Sequence, residues 1–379
     1  MTGFIKNNGE YMNILRAKKD EYDEIQRFIE EVFGRGYNYW AQTYPSVWKK
    51  DNTRYENTFI IKEDGKIVSL IRLAPVNMVI NNTKIKLGGI GAVSTSYEHR
   101  GKGYMSSLMK AMIEEMKKEK YPISILWGDR HRYSNFGYEN SGDIVEVCIT
   151  ARGIEKLKVE LINAKRFLGQ KEILKKIIDI YNKHPIRIER TYEEFKEIFK
   201  KQGSLTYYAV EKEKFGYVSI QGEFIEEYGG SPDIILKIMK YLNKRFGTQQ
   251  FLMHFPTFSL IPQKILKVAS WWHKISVGMI KIISLKDTLQ IYQKNFKENL
   301  SDREEITFTI KNGESIIIKK SNGHIQLEEG IGKNQICLSE SEMVRLLFSS
   351  PDWFPDIPCL KTLKSICPFE TFFWRLNMV

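Results

Sequence analysis

Cysteine is scarce in this chain: four among 379 residues, at Cys148, Cys337, Cys359 and Cys367, with no CxxC pair and no histidine at metal-ligand spacing. That excludes a disulfide framework and a zinc site, so no metal is expected and the four read as small apolar fillers. Long hydrophobic runs are missing too; none approaches the roughly 18 to 20 residues that a bilayer-crossing helix needs. The opening MTGFIKNNGEYMNILRAKKDEYDE lacks the apolar core of a signal peptide. The expectation is a cytoplasmic protein with no membrane partner. Acidic residues are in the minority, 46 against 58 Lys and Arg, for a formal net charge of +12. Such a surplus raises nucleic acid as a partner. The basic residues are dispersed, however, and mostly lie beside Glu, as in Glu114-Glu115-Met116-Lys117-Lys118-Glu119-Lys120, the pattern of a solvated helix face. No nucleic-acid partner is expected, while a small polyanion stays compatible.

What is present describes an ordinary folded protein of more than one domain, 42% hydrophobic and 27% charged. Residues 1–11 read as a loose extension. Ile25, Phe28, Ile29, Val32 and Phe33 recur at helical spacing over Glu21 to Phe33. Strands are expected over Thr58 to Lys62 and Lys66 to Leu73, joined at Asp64-Gly65, a pair suited to a tight hairpin. A further strand near Val76 to Ile80 turns at Asn81-Asn82 into the run Ile85 to Thr95. After HRGKGYM comes a helix with Met105, Leu108, Met109, Met112, Ile113 and Met116 on one stripe, read as core because Met fills apolar space. A buried strand, Ile123 to Trp127, and the polar segment Arg130 to Tyr138 close the unit.

The same order restarts near residue 160. Thr191 and Glu194 make a capping box, strands Leu205 to Val210 and Gly216 to Ile220 follow, and Gly229-Gly230-Ser231-Pro232 precedes a helix carrying Ile234, Ile235, Ile238, Met239 and Leu242. Ser231 and Pro232 are explained by helix initiation, and this copy has no arginine to match the first. The last hundred residues differ: a helix over Leu285 to Leu300, three strands with Asn312-Gly313 and Asn322-Gly323 turns, and a helix from the Ser339/Glu342 cap through Phe348. The aromatic tail reads as a segment packed against something. The domain boundaries drawn are 1–155, 156–283 and 284–379, all α+β.

The sharpest signal is Val93-Ser94-Thr95-Ser96-Tyr97-Glu98-His99-Arg100-Gly101-Lys102-Gly103-Tyr104-Met105, a strand entering a helix through a glycine turn. A diphosphate needs unhindered backbone N–H groups at a helix N-terminus, where the dipole is positive. Gly101 and Gly103 permit that approach, and Arg100 and Lys102 add charge.

Here the chain resembles the Gcn5-related N-acetyltransferases, whose cofactor motif reads Arg or Gln, x, x, Gly, x, Gly or Ala; Arg100 to Met105 fits it except for the bulky Met105. Within them it is most similar to the enhanced-intracellular-survival (Eis) acetyltransferases, which also carry a bulky residue there. Tyr133-Ser134-Asn135-Phe136-Gly137-Tyr138 looks like their Tyr-Gly-x-Phe-Gly-Tyr signature with Ser134 for Gly. The resemblance spans nearly the whole chain. It implies two tandem acetyltransferase-like domains, the second degenerate, and a C-terminal domain like sterol carrier proteins, assembled as a homo-hexamer.

It also implies roles. Acetyl coenzyme A would be the co-substrate, held by Val93, Ser94 and Thr95 along pantetheine and by Arg100, Gly101, Lys102, Gly103, Tyr104 and Met105 at the pyrophosphate. Tyr133 would be the general acid, since a phenol near pKa 10 can protonate a thiolate whose thiol titrates at about 8.5; the alternative is a tyrosine that packs the sheet edge. The free carboxylate of Val379 would be the base, or else the tail only docks; the family usually ends in an aromatic residue. His99 is set aside as a base because it adjoins the phosphate loop. Phe33, Tyr37, Tyr39 and Trp40, in FGRGYNYW, would line the acceptor cleft by cation-π contact with an amine, or simply pack. Aminoglycosides, polyamines and lysine side chains all fit as acceptors. The rival reading is a lipid or hydrophobic-ligand carrier built on the C-terminal domain.

Overall fold

The computed structural model describes residues 3–7, 10–80, 82–349 and 360–377. The chain divides into two compact units, one of residues 1–39, 53–142 and 276–370 and the other of 40–52, 143–275 and 371–379.

In the first unit Gly3–Asn7 (β1) pairs antiparallel with Glu10–Arg16 (β2), from Gly3↔Ile14 to Asn7↔Glu10. The expected loose extension is thus corrected over residues 3–7: ladder pairing satisfies backbone groups that a loose segment would leave to water. The helix Tyr22–Val32 (α1) buries Ile25, Phe28 and Ile29, as its spacing predicts. Thr58–Glu63 (β3) and Lys66–Ile80 (β4) form the expected hairpin, with φ of 49° at Asp64 and 76° at Gly65. The separate strand expected near Val76 is instead the continuation of β4. Pro75 removes no bond of that hairpin, because β3 pairs only as far as Arg72.

Thr83–Thr95 (β5) runs antiparallel to β4, the helix Tyr104–Lys118 follows, and Ile123–Leu126 (β6) returns parallel to β5. The methionine stripe is core: Leu108, Met109, Met112 and Met116 are fully buried among Ile71, Ile90 and Leu126, Ile113 is buried, and Met105 is partly buried against them. A Cβ at Gly88 would run into Met116 Sδ, so glycine there lets the helix seat on the sheet.

The C-terminal part of this unit carries a four-stranded sheet ordered His324–Glu329, Ser315–Ser321, Glu305–Ile310, Gln335–Leu338. The last strand, parallel to Glu305–Ile310, is too short for alternation to have revealed it. It corrects one cysteine: Cys337 is exposed, because Ile336 takes the inward position and side chains alternate. Cys148 and Cys367 are buried, and Cys359 lies outside the described residues. The single helix expected over Leu285 to Leu300 is two, Leu285–Ile291 and Gln293–Asn299, broken at Tyr292. That ring stacks on Phe369 at 4.0 Å and its hydroxyl donates to Glu370 O, contacts that hold the residue at the break. The Ser339/Glu342 capping box opens Glu340–Phe348.

The second unit repeats the first one's order. Strands Leu205–Glu211, Lys214–Gln221 and Phe224–Gly230 form an antiparallel meander, the helix Pro232–Phe246 follows, and Gln250–Pro256 returns parallel to Phe224–Gly230. Ile234, Ile238, Met239 and Phe251 are fully buried in its core. A fully buried ion pair, Arg190 to Glu227 at 2.6 Å, is completed by the Tyr217 hydroxyl and by Asn377, whose Oδ1 accepts from Arg190 Nε and Nη2.

Candidate active site

The site begins where β5 changes partners. Leu70 pairs with Ser94 and Arg72 with Gly91, so Ala92 and Val93 stand against Ile71 alone. That two-against-one count is a β-bulge, and Ala92 within it has a positive φ of 50°. On the other side, parallel pairing with β6 stops at Ile90↔Leu126 while β5 continues to Thr95. The two strands part there, and Val93, Ser94 and Thr95 lie along the opening. Two buried serines hold its hinge. Ser69 Oγ donates to Ser94 O and bonds Thr95 Oγ1, each at 2.9 Å; Ser124 Oγ donates to Gly88 O at 2.6 Å and bonds Tyr138 OH at 2.7 Å. Arg72, 3% exposed, sits at the bulge, and burial pulls its guanidinium down to about 10, still cationic at neutral pH.

Next comes the turn. Gly101 and Gly103 both have φ of 82°, where an L side chain is strained, and a Cβ at Gly101 would meet nothing, so the turn is open there. Gly103 is the N-cap of Tyr104–Lys118 and as a glycine supplies no side-chain cap, and no acidic residue stands in the first turn. The leading N–H groups of a helix have no intrahelical acceptor, and Arg100 and Lys102 stand in the chain just before these. Arg100 lies 5.3 Å over the Tyr97 ring. Lys102 Nζ reaches Glu63 at 3.1 Å and His99 Nε2 reaches the same carboxylate at 3.0 Å. His99 Nδ1 bonds Ser96 Oγ at 2.7 Å, so this histidine braces the turn. Tyr104 and Met105 pack against the core.

Beyond β6, Asp129 caps the short helix Arg130–Tyr133 by accepting from His131 N. It carries Tyr133, 7% exposed, edge-on to Tyr138 at 6.5 Å. A Cβ at Gly128 would collide with the Tyr133 ring. Burial pushes the Tyr133 phenol up, against the charge of Arg132, so it is fully protonated at neutral pH and able to donate. Arg130 grips Glu139 through Nε and Nη2, both at 2.6 Å. Burial acts to raise the Glu139 carboxyl, but Arg130, the Asn140 N–H and Arg345 outweigh it and hold it low.

Of the aromatic quartet, Phe33 caps α1 and is 41% exposed, and Tyr37 is 89% exposed. Tyr39 lies 4.9 Å under Arg35, and Trp40 packs on Tyr44 and Trp48 at 5.8 Å each. Val379 lies outside the described residues. Sequence reasoning missed Ser69, Ser124 and the Arg130–Glu139 pair. For Ser124 a signal existed: a lone hydroxyl inside the apolar strand ISIL needs a partner. Among the described residues no three His, Cys, Asp or Glu side chains gather as a metal site, and no helix is long and apolar enough to cross a membrane.

Residues 13–141 match the acetyltransferase (GNAT) domain family. No curated protein matches the chain. Three similar solved structures are a GCN5-related N-acetyltransferase from Kribbella flavida (TM-score 0.67, 11% identity, 93% of this chain and 96% of that one), Eis1 from Mycobacterium abscessus (0.66, 9%, 95% and 98%) and a GCN5-related N-acetyltransferase from Anabaena variabilis ATCC 29413 (0.65, 15%, 95% and 99%). These likenesses establish a mixed α+β, GNAT-like fold over nearly the whole chain. The protein carries a GNAT acetyltransferase domain and is an acyltransferase.

Proposed function

We propose that the protein moves the acetyl group of acetyl coenzyme A to a primary amine by direct attack. The observation that carries this reading is the adjacency of a bulged strand edge, unpaired with β6 beyond Ile90, and a helix start entered through two positive-φ glycines with no acidic residue in its first turn. A thioester arm can pair along Val93 to Thr95 while its diphosphate meets the N–H groups after Gly103, with Arg100 and Lys102 adding charge.

In this reading the neutral amine attacks the acetyl carbon, the carbon–sulfur bond breaks, and the thiolate takes the Tyr133 proton. A phenol raised by burial is protonated when the thiolate leaves. The amine's surplus proton goes to a base, assigned to the Val379 carboxylate; a carboxylate is a weak base in water and gains strength on burial. Phe33, Tyr37, Tyr39 and Trp40 are the proposed acceptor contacts, for an aminoglycoside, polyamine or lysine-like amine. The sequence resemblance adds to the proposal an Eis-like, three-part chain with a degenerate second copy and a sterol-carrier-like C-terminal part, assembled as a cytoplasmic hexamer; the likeness of fold to Eis1 along nearly the full chain agrees with the first of these only at the level of fold.

Calorimetric titration with acetyl coenzyme A tests it. One saturable site is expected, weakened about tenfold or more by Arg100→Ala, since a charge-assisted phosphate contact contributes about 1.5–3 kcal/mol. Absence of binding by the unmodified protein would overturn the reading.

A further inference from the structure

The second unit repeats the parted strands of the first but not its turn at residues 100–103. Phe224–Gly230 and Gln250–Pro256 pair in parallel only at Phe224↔Leu252. Where they separate lies a cavity of about 410 Å³. At the adjoining helix start Pro232 has no N–H to offer, and Asp233 sets a carboxylate in the first turn, paired with Lys214 and Lys264. With one N–H of the helix start missing and a carboxylate already held there by two lysines, this helix start is not the counterpart of the glycine turn in the first unit.

The cavity's chemistry is of another kind. Ile235, Met253, Tyr228 and Phe255 make its walls, Lys183 stands exposed at its margin, and among the described residues no Asp or Glu lines it. Tyr228 spends its hydroxyl on His254 O, leaving its ring to the cavity. The volume is that of a small-molecule pocket, roughly 300–1,000 Å³. We propose that this cavity binds a medium-sized apolar monocarboxylate, its body between the parted strands and its carboxylate at Lys183. His184, also lining the cavity, is pulled down by burial, which leaves Lys183 as its cation at neutral pH. Trp374 reports on occupancy: it is 3% exposed and stands edge-on to Tyr228 at 5.0 Å and to His184 at 5.4 Å.

The test is calorimetry on the full chain with decanoate, decanol and coenzyme A as probes, alongside tryptophan emission. Decanoate is expected to saturate one site and change the emission, and Trp374→Phe to abolish that change while leaving the heat. Lys183→Gln should weaken decanoate roughly fivefold, the scale of one exposed ion pair, and leave decanol unchanged. Met253→Trp, which fills the cavity, should remove both; should it not fold, the exposed Lys183→Gln decides alone. Lack of saturable decanoate binding, equal affinity for decanol, indifference to Lys183→Gln, or displacement of decanoate by coenzyme A would each overturn the proposal.

Discussion

In the proposed reaction, Tyr133 is the residue on which the chemical step turns. Replacing it with Phe removes one hydroxyl and keeps the ring that packs against Gly128 and Tyr138. We expect kcat to fall by about 10²-fold or more, the usual worth of a positioned acid, with acetyl coenzyme A affinity within about twofold. An unchanged kcat would reduce Tyr133 to a packing residue. Glu139 makes a separate, pH-dependent prediction. Its folded-state pKa is depressed, so the stability it contributes is present above the unfolded carboxyl value and is lost as pH falls through the folded one. Glu139→Gln should therefore destabilise by about 1–3 kcal/mol at pH 7, with the difference from the unmodified protein shrinking below about pH 4, as read by urea unfolding at several pH values. A difference independent of pH would contradict the ion-pair account. The strand, glycine turn and helix over 83–118 were legible in the sequence because the glycines stand directly between a strand-like run and a 3.6-period stripe. Ser69 and Ser124 were not, since their hydroxyls act across strands through partners 25 and 36 residues away.

At the scale of elements, the turn between β5 and its helix is the feature under most conformational constraint. Gly101→Ala adds a methyl that meets no neighbour but is strained at φ 82°, by roughly 1–2 kcal/mol. The turn relaxes to another backbone, and acetyl coenzyme A affinity is expected to drop several-fold with little change in Tm. A titration showing undiminished affinity would mean that the turn does not grip the diphosphate. The hairpin at Asp64-Gly65 and the methionine stripe could be read in advance because positive-φ turns and a 3.6 period are local signals. The bulge could not. It depends on how Ile71 meets Ala92 and Val93, a register set by packing rather than by any composition at those positions. Tyr292 breaks a helix that periodicity alone continues, because its partner, Phe369, lies far along the chain.

For the whole molecule, the repeated element order was visible as a repeated pattern, whereas the path of the tail was not. Residues 371–377 belong to the second unit, where Arg190 holds Asn377. If the Val379 carboxylate is the base, a few residues added after it should lower kcat about tenfold or more while leaving cofactor affinity intact. Full activity in such an extended chain would remove that role. The central claim is acyl transfer itself. Its most direct measurement is free-thiol release from acetyl coenzyme A across aminoglycosides, polyamines and lysine peptides. The account predicts amine-dependent release that saturates with at least one class and collapses in Tyr133→Phe. Release that never exceeds the amine-free rate with any of the three would contradict it.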